Sequence, residues 1–200
     1  GLAVGADLVT AARIANTAAG LAVGQFGTAT VTLDLLVRDL RRAQRTTLGE
    51  AELNHQLAVW RLQGKRAVFT NGCFDVLHAG HLALLRKAAT LGDVLVVGIN
   101  DDASVRRLKG ESRPFTPQEE RCALVGALDC VDAVTLFCED TPLRLIERVR
   151  PAVLVKGADY ALKDVVGREA VEAAGGVVVL VDLVEERSTT ALIQKARERG

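Results

Sequence analysis

The sequence contains no methionine, and aromatic residues make up only 4% of its 200 residues. Its 25 Lys and Arg residues are balanced by 25 Asp and Glu residues, so the formal net charge is zero. A neutral chain has no general electrostatic attraction to nucleic acid or to an anionic membrane, and we expect neither as a partner. No uninterrupted apolar run reaches the ~18 residues needed to span a bilayer, and no signal peptide is evident. Because an initiator methionine is also lacking, we expect a fragment of a longer chain or a processed one.

Cysteine and histidine are scarce as well, with four cysteines and three histidines in the chain. The cysteines form no C-x-x-C pair, and the histidines complete no zinc-ligand spacing. We therefore expect free thiols in a reducing compartment, a cytoplasmic location, and no metal held by the protein's own side chains. By contrast, 49% of the residues are hydrophobic, which is enough for a substantial core and excludes a disordered chain.

Composition divides the chain into three zones. Residues 1–32 are rich in Ala, Gly and Val but too few to bury their own apolar surface, so they require a partner surface or belong to another domain. Residues 33–64 carry apolar residues at helical spacing and are interpreted as a helical linker or packing arm. Residues 65–200 form the principal domain.

The helical zone carries two local signals. Thr47 is followed three residues later by Glu50, a spacing that fits a capping box at a helix start. The apolar stripe predicted to face a core consists of Leu53, Leu57, Trp60 and Leu62.

From residue 66 onward, short β-branched runs alternate with amphipathic stretches. The runs are continuously apolar, as in strands that are buried on both faces. Strands are predicted at residues 67–70, 94–99, 133–137, 152–155 and 177–181. Helices are predicted near residues 82–91, 117–128, 142–149, 167–174 and 189–199. This alternation predicts an α/β, Rossmann-like doubly wound parallel sheet with helices on both faces, preceded by a helical N-terminal arm, and a ligand beyond the carboxyl ends of the strands.

The first chemical motif begins where the first predicted strand ends, at Thr70-Asn-Gly-Cys-Phe-Asp-Val-Leu-His-Ala-Gly-His81. His78 and His81 are three residues apart at a predicted helix start, so both can face one side of the helix. Gly80 between them lets a ligand approach the backbone, and the positive end of the helix suits a phosphate. Two imidazoles there can donate hydrogen bonds to phosphoryl oxygens as charge develops. The structural alternative is that His78 caps the helix and His81 packs in the core.

The second motif, Arg187-Ser-Thr-Thr190, follows the last predicted strand and starts the last predicted helix. Its hydroxyls either only cap that helix or form a second phosphate cradle, to which Arg187 adds a fixed charge. Together with the first motif, it places two helix N-termini at strand carboxyl ends, an arrangement that fits a triphosphate.

Two further stretches follow predicted strands. Residues 100–113 are interpreted as a loop in which Lys109 and Arg113 flank a flexible Gly110. This loop either closes a mobile lysine over an anionic substrate or is simply solvated. The stretch Val155-Lys-Gly-Ala-Asp-Tyr160 suits either a turn or contacts to the edge of a nucleobase.

Several common fingerprints are absent from the sequence. There is no G-x-G-x-x-G opening a helix and no G-x-x-x-x-G-K-[ST], which argues against a nicotinamide dehydrogenase and a P-loop NTPase. A G-x-S-x-G motif is also missing, which weakens a hydrolase interpretation. Cys73 has no ordered base beside it, so we interpret it as a small, buried or half-buried residue and not as a nucleophile.

The H-x-G-H at His78–His81, together with Arg187-Ser-Thr-Thr190, resembles the nucleotidyltransferase superfamily of cytidylyltransferases and adenylyltransferases. A closer resemblance is to the adenylyltransferase domains of bifunctional heptose-7-phosphate kinase/heptose-1-phosphate adenylyltransferases, and it spans about residues 62–200. The segments that carry it are Phe69-Thr-Asn-Gly-Cys-Phe-Asp75, Leu108-Lys-Gly-Glu-Ser-Arg-Pro114, Glu139-Asp-Thr-Pro142 and Val155-Lys-Gly-Ala-Asp-Tyr160.

The N-terminal zone resembles the end of a ribokinase-type sugar kinase. Ala11-Ala-Arg-Ile-Ala-Asn-Thr-Ala-Ala-Gly20 and Gly24-Gln-Phe-Gly-Thr-Ala-Thr30 look like its closing helix and tail. The resemblance implies that residues 1–32 are the remnant of a kinase domain whose catalytic part is missing from this chain, so we do not expect kinase activity.

The resemblance implies transfer of AMP from ATP to D-glycero-β-D-manno-heptose 1-phosphate, giving ADP-heptose and pyrophosphate, with Mg²⁺ carried by the nucleotide phosphates. A homodimer is compatible with it. The implied catalytic residues are His78, His81 and Lys109. The residues implied in binding the sugar phosphate are Asp75, Arg113 and Arg121. The residues implied in nucleotide binding are Thr70, Asn71, Gly72, Phe74, Gly80, Asn100, Lys156, Gly157, Asp159, Arg187, Ser188, Thr189 and Thr190.

The sequence departs from the family pattern at two places. Ala158 stands where many relatives carry a second glycine, and Glu186-Arg187 precedes the Ser-Thr-Thr where glycerol-phosphate cytidylyltransferases have Arg-Thr-x-Gly-x. Two alternative functions therefore stay open. One is a CTP-dependent cytidylyltransferase that acts on glycerol 3-phosphate or a related polyol or sugar phosphate, and the other is a non-catalytic nucleotide-binding module.

Overall fold

A computed structural model describes residues 47–158 and 161–182 and, nearer the N-terminus, residues 5, 7, 11–12, 14–16, 18–19 and 31–32. Contacts between residues divide the chain into two units, Gly1–Arg45 and Thr46–Gly200. Within the first unit, residues 11–12, 14–16 and 18–19 are helical. All elements named below belong to the second unit.

Five parallel strands form one sheet: β1 Ala67–Gly72, β2 Val94–Asn100, β3 Ala133–Phe137, β4 Val153–Gly157 and β5 Val177–Val181. They lie in the order β3-β2-β1-β4-β5, and every neighbouring pair is parallel. The chain builds outward from β1 to β3 and then returns to the other side of β1 with β4. Such a reversal opens a crevice at the carboxyl ends of β1 and β4. The five strands predicted from the sequence are confirmed.

The helices of the described segments are α1 Glu50–Leu62, α2 Ala79–Ala89, α3 Asp102–Lys109, α4 Gln118–Gly126, α5 Leu143–Val149, a 3₁₀-helix Leu162–Asp164, and α6 Arg168–Ala173. The predicted helices that became α2, α4, α5 and α6 are confirmed, whereas the one over residues 189–199 lies outside the described residues. None of the helices described in this chain is both long and apolar enough to cross a bilayer.

The interpretation of residues 100–113 as a loop is wrong for most of their length, because Asp102–Lys109 form α3. Asp101 caps this helix, since its Oδ1 accepts a hydrogen bond from Ser104 N at 2.7 Å. Only Ser104 and Val105 are buried in it, which is too little apolar surface to produce a periodic pattern. Lys109 is therefore the last residue of a helix. Gly110 follows it at φ +98°, a conformation that favours glycine.

The core has two layers because successive residues of each buried strand point to opposite faces of the sheet. In β1, for example, Val68 packs against one group of helical residues and Phe69 against the other. The first group comes from α2 and α4 and consists of Leu84, Leu85, Ala88, Cys122 and Val125. The second comes from α1, α5 and α6 and consists of Leu53, Leu57, Trp60, Leu145, Ile146, Val149 and Val171. This arrangement confirms the Rossmann-like fold with helices on both faces.

The free edge of β3 is covered by the residues that precede α1. Leu48 N donates to Val134 O at 2.7 Å, and Thr135 Oγ1 donates to Leu48 O at 2.9 Å. Thr47 forms an isolated parallel bridge with Val134. The unpaired backbone groups of an edge strand can pair with another chain, and this short segment covers them.

The same segment explains why the capping box predicted from Thr47 and Glu50 is wrong. Thr47 is engaged at the sheet edge, so the helix begins two residues later, with Gly49 at its N-cap. The side chain of Glu52 closes this end, since its Oε2 accepts from Gly49 N at 2.8 Å. Helix α1, expected to be part of a linker, is packed into the core of the second unit through Leu53.

Two leucines of α1 provide a matched test of this packing. Leu53 is 0% exposed, whereas Leu62, assigned to the same stripe from the sequence, is 90% exposed. We expect Leu53→Ala to lower the free energy of unfolding by about 2–5 kcal/mol because it leaves a cavity in the core. Leu62→Ala is expected to change it by less than about 0.5 kcal/mol. Urea unfolding followed by circular dichroism measures both, and equal effects would contradict the packing of α1.

Candidate active site

A cavity of about 440 Å³ lies at the carboxyl ends of the strands, where the crevice between β1 and β4 was expected. Its size is within the range of ~300–1,000 Å³ usual for small-molecule sites. The residues that line it are Asn71, Gly72, Cys73, Phe74, Asp75, His81, Asn100, Leu108, Lys109, Arg113, Asp140, Thr141, Pro142, Lys156, Asp164 and Val166. Many of these residues come from the ends of strands or from the loops that directly follow them.

Asn71 and Lys156 face each other across the crevice. The ladder between β1 and β4 consists of Val68 with Val153 and Phe69 with Leu154, and continuing this register places Asn71 opposite Lys156. The Lys156 Nζ donates to Asn71 Oδ1 at 2.6 Å. Lys156 is only 8% exposed, so its ammonium is a largely buried positive charge in the cavity wall.

His78 and His81 are both fixed by hydrogen bonds at the start of α2. The Nδ1 of His78 accepts from Gly80 N at 3.1 Å, and the Nδ1 of His81 accepts from His78 N at 3.4 Å. The two rings are stacked with centroids 3.8 Å apart. A neutral imidazole whose Nδ1 accepts a hydrogen bond carries its proton on Nε2. Each ring therefore offers an Nε2–H donor, and His81 is the one that lines the cavity.

The surroundings of His81 favour its neutral form. Burial lowers the pKa of His81 from its ordinary value of 6.5 to about 4, and the neighbouring His78 ring and Lys109 ammonium act in the same direction. Burial also lowers the pKa of His78. A neutral ring is compatible with the hydrogen bond at Nδ1, since an imidazolium cannot accept one there.

Phe74 contributes to this burial from within the same loop. It is 5% exposed, and the centroid of its ring is 5.1 Å from that of His81. Its backbone has φ +50°, an uncommon value for a large side chain and one that persists only where packing holds it. Gly72 permits the conformation, because a Cβ there would lie 3.2 Å from the Phe74 ring. Phe74 was implied in nucleotide binding, and the structure shows it packed against a catalytic candidate.

Two positively charged side chains lie in the part of the cavity wall formed by α3 and the chain after it. Lys109 at the end of α3 and Arg113 after it both line the cavity. Asp140 on the rim is paired with Arg107 at 2.7 Å, which ties α3 to the loop after β3. With Lys156 on the opposite side, these nitrogen donors make the cavity suited to a highly charged anion.

The direct contact of Arg121 with a sugar phosphate, implied by resemblance, does not fit the structure. Arg121 is 0% exposed and does not line the cavity. Its Nη1 donates to the backbone oxygens of Cys73 and Asn100 at 2.5 and 2.8 Å, and its Nε donates to Thr116 O at 2.9 Å. Its Nη2 donates to Asp102 Oδ1 at 2.7 Å. Arg121 therefore supports the site from beneath, and no N–H edge is presented to a ligand.

The remaining candidates divide into three groups. Thr70, Gly80 and Gly157 are buried and do not line the cavity, and the amide of Gly80 is already bonded to His78. Asn71, Gly72, Asn100 and Lys156 do line it. Asp159, Arg187, Ser188, Thr189 and Thr190 lie outside the described residues, so the proposed second phosphate cradle stays a prediction.

Sequence reasoning missed several residues of the cavity wall. Asp140 to Pro142 were noted only as part of the family resemblance, although they directly follow β3 and so meet the positional criterion used for the other motifs. Leu108 was likewise noted only within a segment of the family resemblance, and Asp164 and Val166 carry no local signal that distinguishes them from surface residues.

Cys73 also lines the cavity and is half-buried, as expected. Burial raises the pKa of its thiol, and this effect outweighs the opposing influence of Lys109 and Arg121. A thiol with a raised pKa is a poor nucleophile at neutral pH. All four cysteines lie within the described residues, and none of them forms a disulfide.

The fold and the site together define a Rossmann-like α/β domain with a cavity at the carboxyl ends of its strands, lined by His81 and by lysine and arginine side chains. A sequence model described as cytidylyltransferase-like matches residues 69–197, which is more than half of the chain. The chain belongs to the cytidylyltransferase-like family. This result confirms the nucleotidyltransferase resemblance drawn from the sequence.

Comparison with individual relatives agrees with this family assignment. Proteins named bifunctional protein HldE are 51% identical in Citrifermentans bemidjiense, 54% in Geobacter sulfurreducens and 53% in Bradyrhizobium diazoefficiens, over 97–98% of this chain. The chain spans 40–41% of the length of these relatives. A solved structure, the lipopolysaccharide core biosynthesis protein from Thermoplasma volcanium, is 30% identical with a TM-score of 0.51, covering 60% of this chain and 98% of that one.

The lowered pKa of His81 predicts a specific dependence of stability on pH. Because the folded-state pKa of about 4 lies below the ordinary value of 6.5, the unfolded chain binds this proton first as the pH falls. Folded protein should therefore lose stability as the pH drops from 6.5 towards 4, and this part of the loss should be absent in His81→Gln. His55→Gln, which removes an exposed histidine of α1, is the matched control and should retain the loss.

Urea unfolding at several pH values measures this effect, and an NMR titration of the His81 ring reports its pKa directly. An identical pH dependence in wild type and His81→Gln, or titration of the ring near 6.5, would contradict the neutral buried imidazole.

Proposed function

We propose that this domain transfers AMP from ATP to the phosphate group of D-glycero-β-D-manno-heptose 1-phosphate, giving ADP-heptose and pyrophosphate. The observation that carries the proposal is the cavity at the β1–β4 crevice, where His81, Lys109 and Lys156 present nitrogen donors. Identities of 51–54% to bifunctional relatives over nearly the whole chain support it. So do the motifs that resemble heptose-phosphate adenylyltransferases.

Catalysis of this reaction depends more on positioning the substrates than on covalent catalysis by the protein. An oxygen of the sugar phosphate attacks the α-phosphorus of ATP, the bond from that phosphorus to the bridging oxygen breaks, and pyrophosphate leaves with the electron pair. Negative charge moves onto the leaving group, so donors that are already in place lower the barrier. His81 supplies an Nε2–H that is oriented by the bond at its Nδ1, and Lys109 supplies a positive charge close to it.

Mg²⁺ in this proposal is bound through the substrate. The described residues contain no group of three or more His, Cys, Asp or Glu side chains that could hold a metal ion. Of the carboxylates in the cavity wall, Asp75 and Asp140 are paired with Arg113 and Arg107. These side chains fit an ion that is coordinated mainly by nucleotide phosphates, where it would neutralise phosphate charge.

Two further parts of the proposal concern the protein's context. The relatives are named bifunctional proteins, and this chain spans about two fifths of their length. Together with the resemblance of residues 1–32 to the end of a sugar kinase, this supports a kinase activity in a portion outside this sequence. The four cysteines, none of which forms a disulfide, suit a reducing compartment, so we keep the cytoplasmic location as a prediction.

A second candidate is the CTP-dependent transfer to glycerol 3-phosphate or a related polyol phosphate. The description of the matched family favours it, because that family is cytidylyltransferase-like. Both candidates use the same triphosphate chemistry and differ in the base and in the acceptor.

A matrix of pyrophosphate-release assays separates these candidates. Each of ATP and CTP is combined with heptose 1-phosphate, glucose 1-phosphate or glycerol 3-phosphate, and the nucleotide product is identified by mass spectrometry. We expect turnover with ATP and heptose 1-phosphate, because the family motifs that follow β1, β3 and β4 match that reaction. Turnover with CTP alone would overturn the first proposal in favour of the second. No turnover in any well would favour a non-catalytic nucleotide-binding module.

Two substitutions of His81 test which ring nitrogen acts. In His81→Asn the side-chain oxygen can still accept the hydrogen bond made at Nδ1, but the Nε2–H donor is lost. In His81→Gln an amide N–H can take the place of that donor. We expect His81→Asn to lower kcat at least about a hundredfold, the scale of one lost transition-state donor. His81→Gln should lose distinctly less, and His78→Ala should also fall by about a hundredfold.

His55→Ala is the control, because it removes a histidine in α1 that is distant from His81 in the sequence. It should keep wild-type kcat. Near-normal turnover in His81→Asn would remove the Nε2–H donor from the mechanism.

A further inference from the structure

Asp75 lies inside the loop that carries the two histidines, yet its carboxylate is directed at a different segment. Its Oδ1 accepts from Phe115 N at 2.6 Å and from Thr116 N at 3.0 Å. Its Oδ2 forms an ion pair with Arg113 Nε. Asp75 is only 4% exposed. One carboxylate oxygen is therefore hydrogen-bonded and the other ion-paired to the segment between α3 and α4, about 40 residues further along the chain.

Arg113 is held on two sides by these contacts. Its Nε faces the carboxylate of Asp75, and its Cζ lies 4.3 Å from the centroid of the Phe115 ring. The side chain is 14% exposed and lines the cavity. Its terminal nitrogens, Nη1 and Nη2, make no hydrogen bond to another residue in 47–158 or 161–182. They form a planar pair of donors of the kind that binds a phosphate with two parallel hydrogen bonds.

The position of Arg113 favours the second substrate over the nucleotide. One side of the cavity is formed by β4 and the chain beyond it, with Lys156 and Val166, and another by the ends of β1 and β2 and by α3. Of the motif expected to border the base, residues 155–157 form the end of β4. Arg113 follows α3 and lines the cavity away from β4, so it is free to meet a phosphate other than those next to the base.

We propose that Asp75 is a positioning residue that fixes the Arg113 guanidinium for the phosphate of the second substrate and does not itself touch that substrate. This inference rests on the proposed function and gives Asp75 a different role from the direct sugar-phosphate contact implied by resemblance. A carboxylate placed directly against a phosphate would repel it, whereas a carboxylate behind an arginine orients the donor and is neutralised by it.

Asp75→Asn tests this role with little change of shape. The Asn oxygen can still accept from Phe115 N and Thr116 N, so the segment stays anchored, while its neutral NH₂ group replaces the Oδ2 that lies against Arg113 Nε. The ion pair is thus broken selectively. The matched control is Asp132→Asn, because Asp132 Oδ2 also accepts a backbone hydrogen bond, from Leu95 N at 2.8 Å, but at the opposite end of β2.

We expect Asp75→Asn to raise the KM for the sugar phosphate at least about tenfold, in line with the loss of a hydrogen bond to a charged group. The KM for ATP should change by less than about twofold. In the Arg113→Ala background, Asp75→Asn should add no further increase, because its effect passes through Arg113. Asp132→Asn should leave both KM values unchanged.

A second measurement does not depend on turnover. In protein labelled with ¹⁵N-arginine, the chemical shift of the Arg113 Nε signal should be the same in the wild type and in Asp132→Asn, and should move in Asp75→Asn, because the carboxylate charge beside it is lost. If the Arg113 signal moves only in Asp75→Asn but the wild type shows no activity with any nucleotide, the proposed function fails while the Asp75–Arg113 pairing stands. Equal increases of both KM values, additive effects in the Arg113→Ala background, or an unchanged Arg113 signal in Asp75→Asn would overturn the positioning role.

Discussion

The guanidinium of Arg121 is the interaction on which the site depends, because separate segments of the chain converge on it. It binds the backbone oxygens of Cys73, Asn100 and Thr116 and the carboxylate of Asp102. These groups belong to the loop after β1, the end of β2, the segment before α4 and the start of α3. A fully buried arginine is tolerated when its nitrogens are hydrogen-bonded and a carboxylate balances its charge; here all three nitrogens are bonded and Asp102 supplies the carboxylate. Removing it would leave several buried acceptors unpaired at once.

The residues of the site therefore fall into two groups. Some orient other residues, and others present hydrogen-bond donors to the cavity. Arg121 behind the cavity wall, Asp75 within the wall and the backbone amides at the start of α2 orient other residues. His81 and Arg113 line the cavity. Each is oriented by these groups, directly or through the backbone, and each has a donor that is free to bind a ligand. Donors that need no rearrangement when charge develops are the main means by which a protein lowers the barrier of phosphoryl and nucleotidyl transfer. The buried network thus links the packing of the domain to its chemistry.

The sequence predicted the parts of this structure that leave a local pattern. Continuous apolar runs identified the strands, and the spacing of His78 and His81 after a strand identified the centre of the site. Helix α3 was missed because it buries little apolar surface, although Asp101 three residues before Ser104 is a cap signal that could have been used. The role of Arg121 could not be predicted, because its acceptors lie up to 48 residues away and carry no signature of their own. Asp75 was assigned to the site for its position in the motif, and only the fold revealed that its carboxylate faces inward to residues 113–116.

A crystal structure with a non-hydrolysable ATP analogue would test the arrangement of these donors most directly. We predict a phosphate oxygen within hydrogen-bond distance of His81 Nε2, with the bond from His78 N to His81 Nδ1 retained and the hydrogen bonds of Arg121 unchanged. A triphosphate that binds away from His81, or a complex in which Arg121 leaves its backbone acceptors to contact the phosphates, would contradict the roles assigned to these two residues.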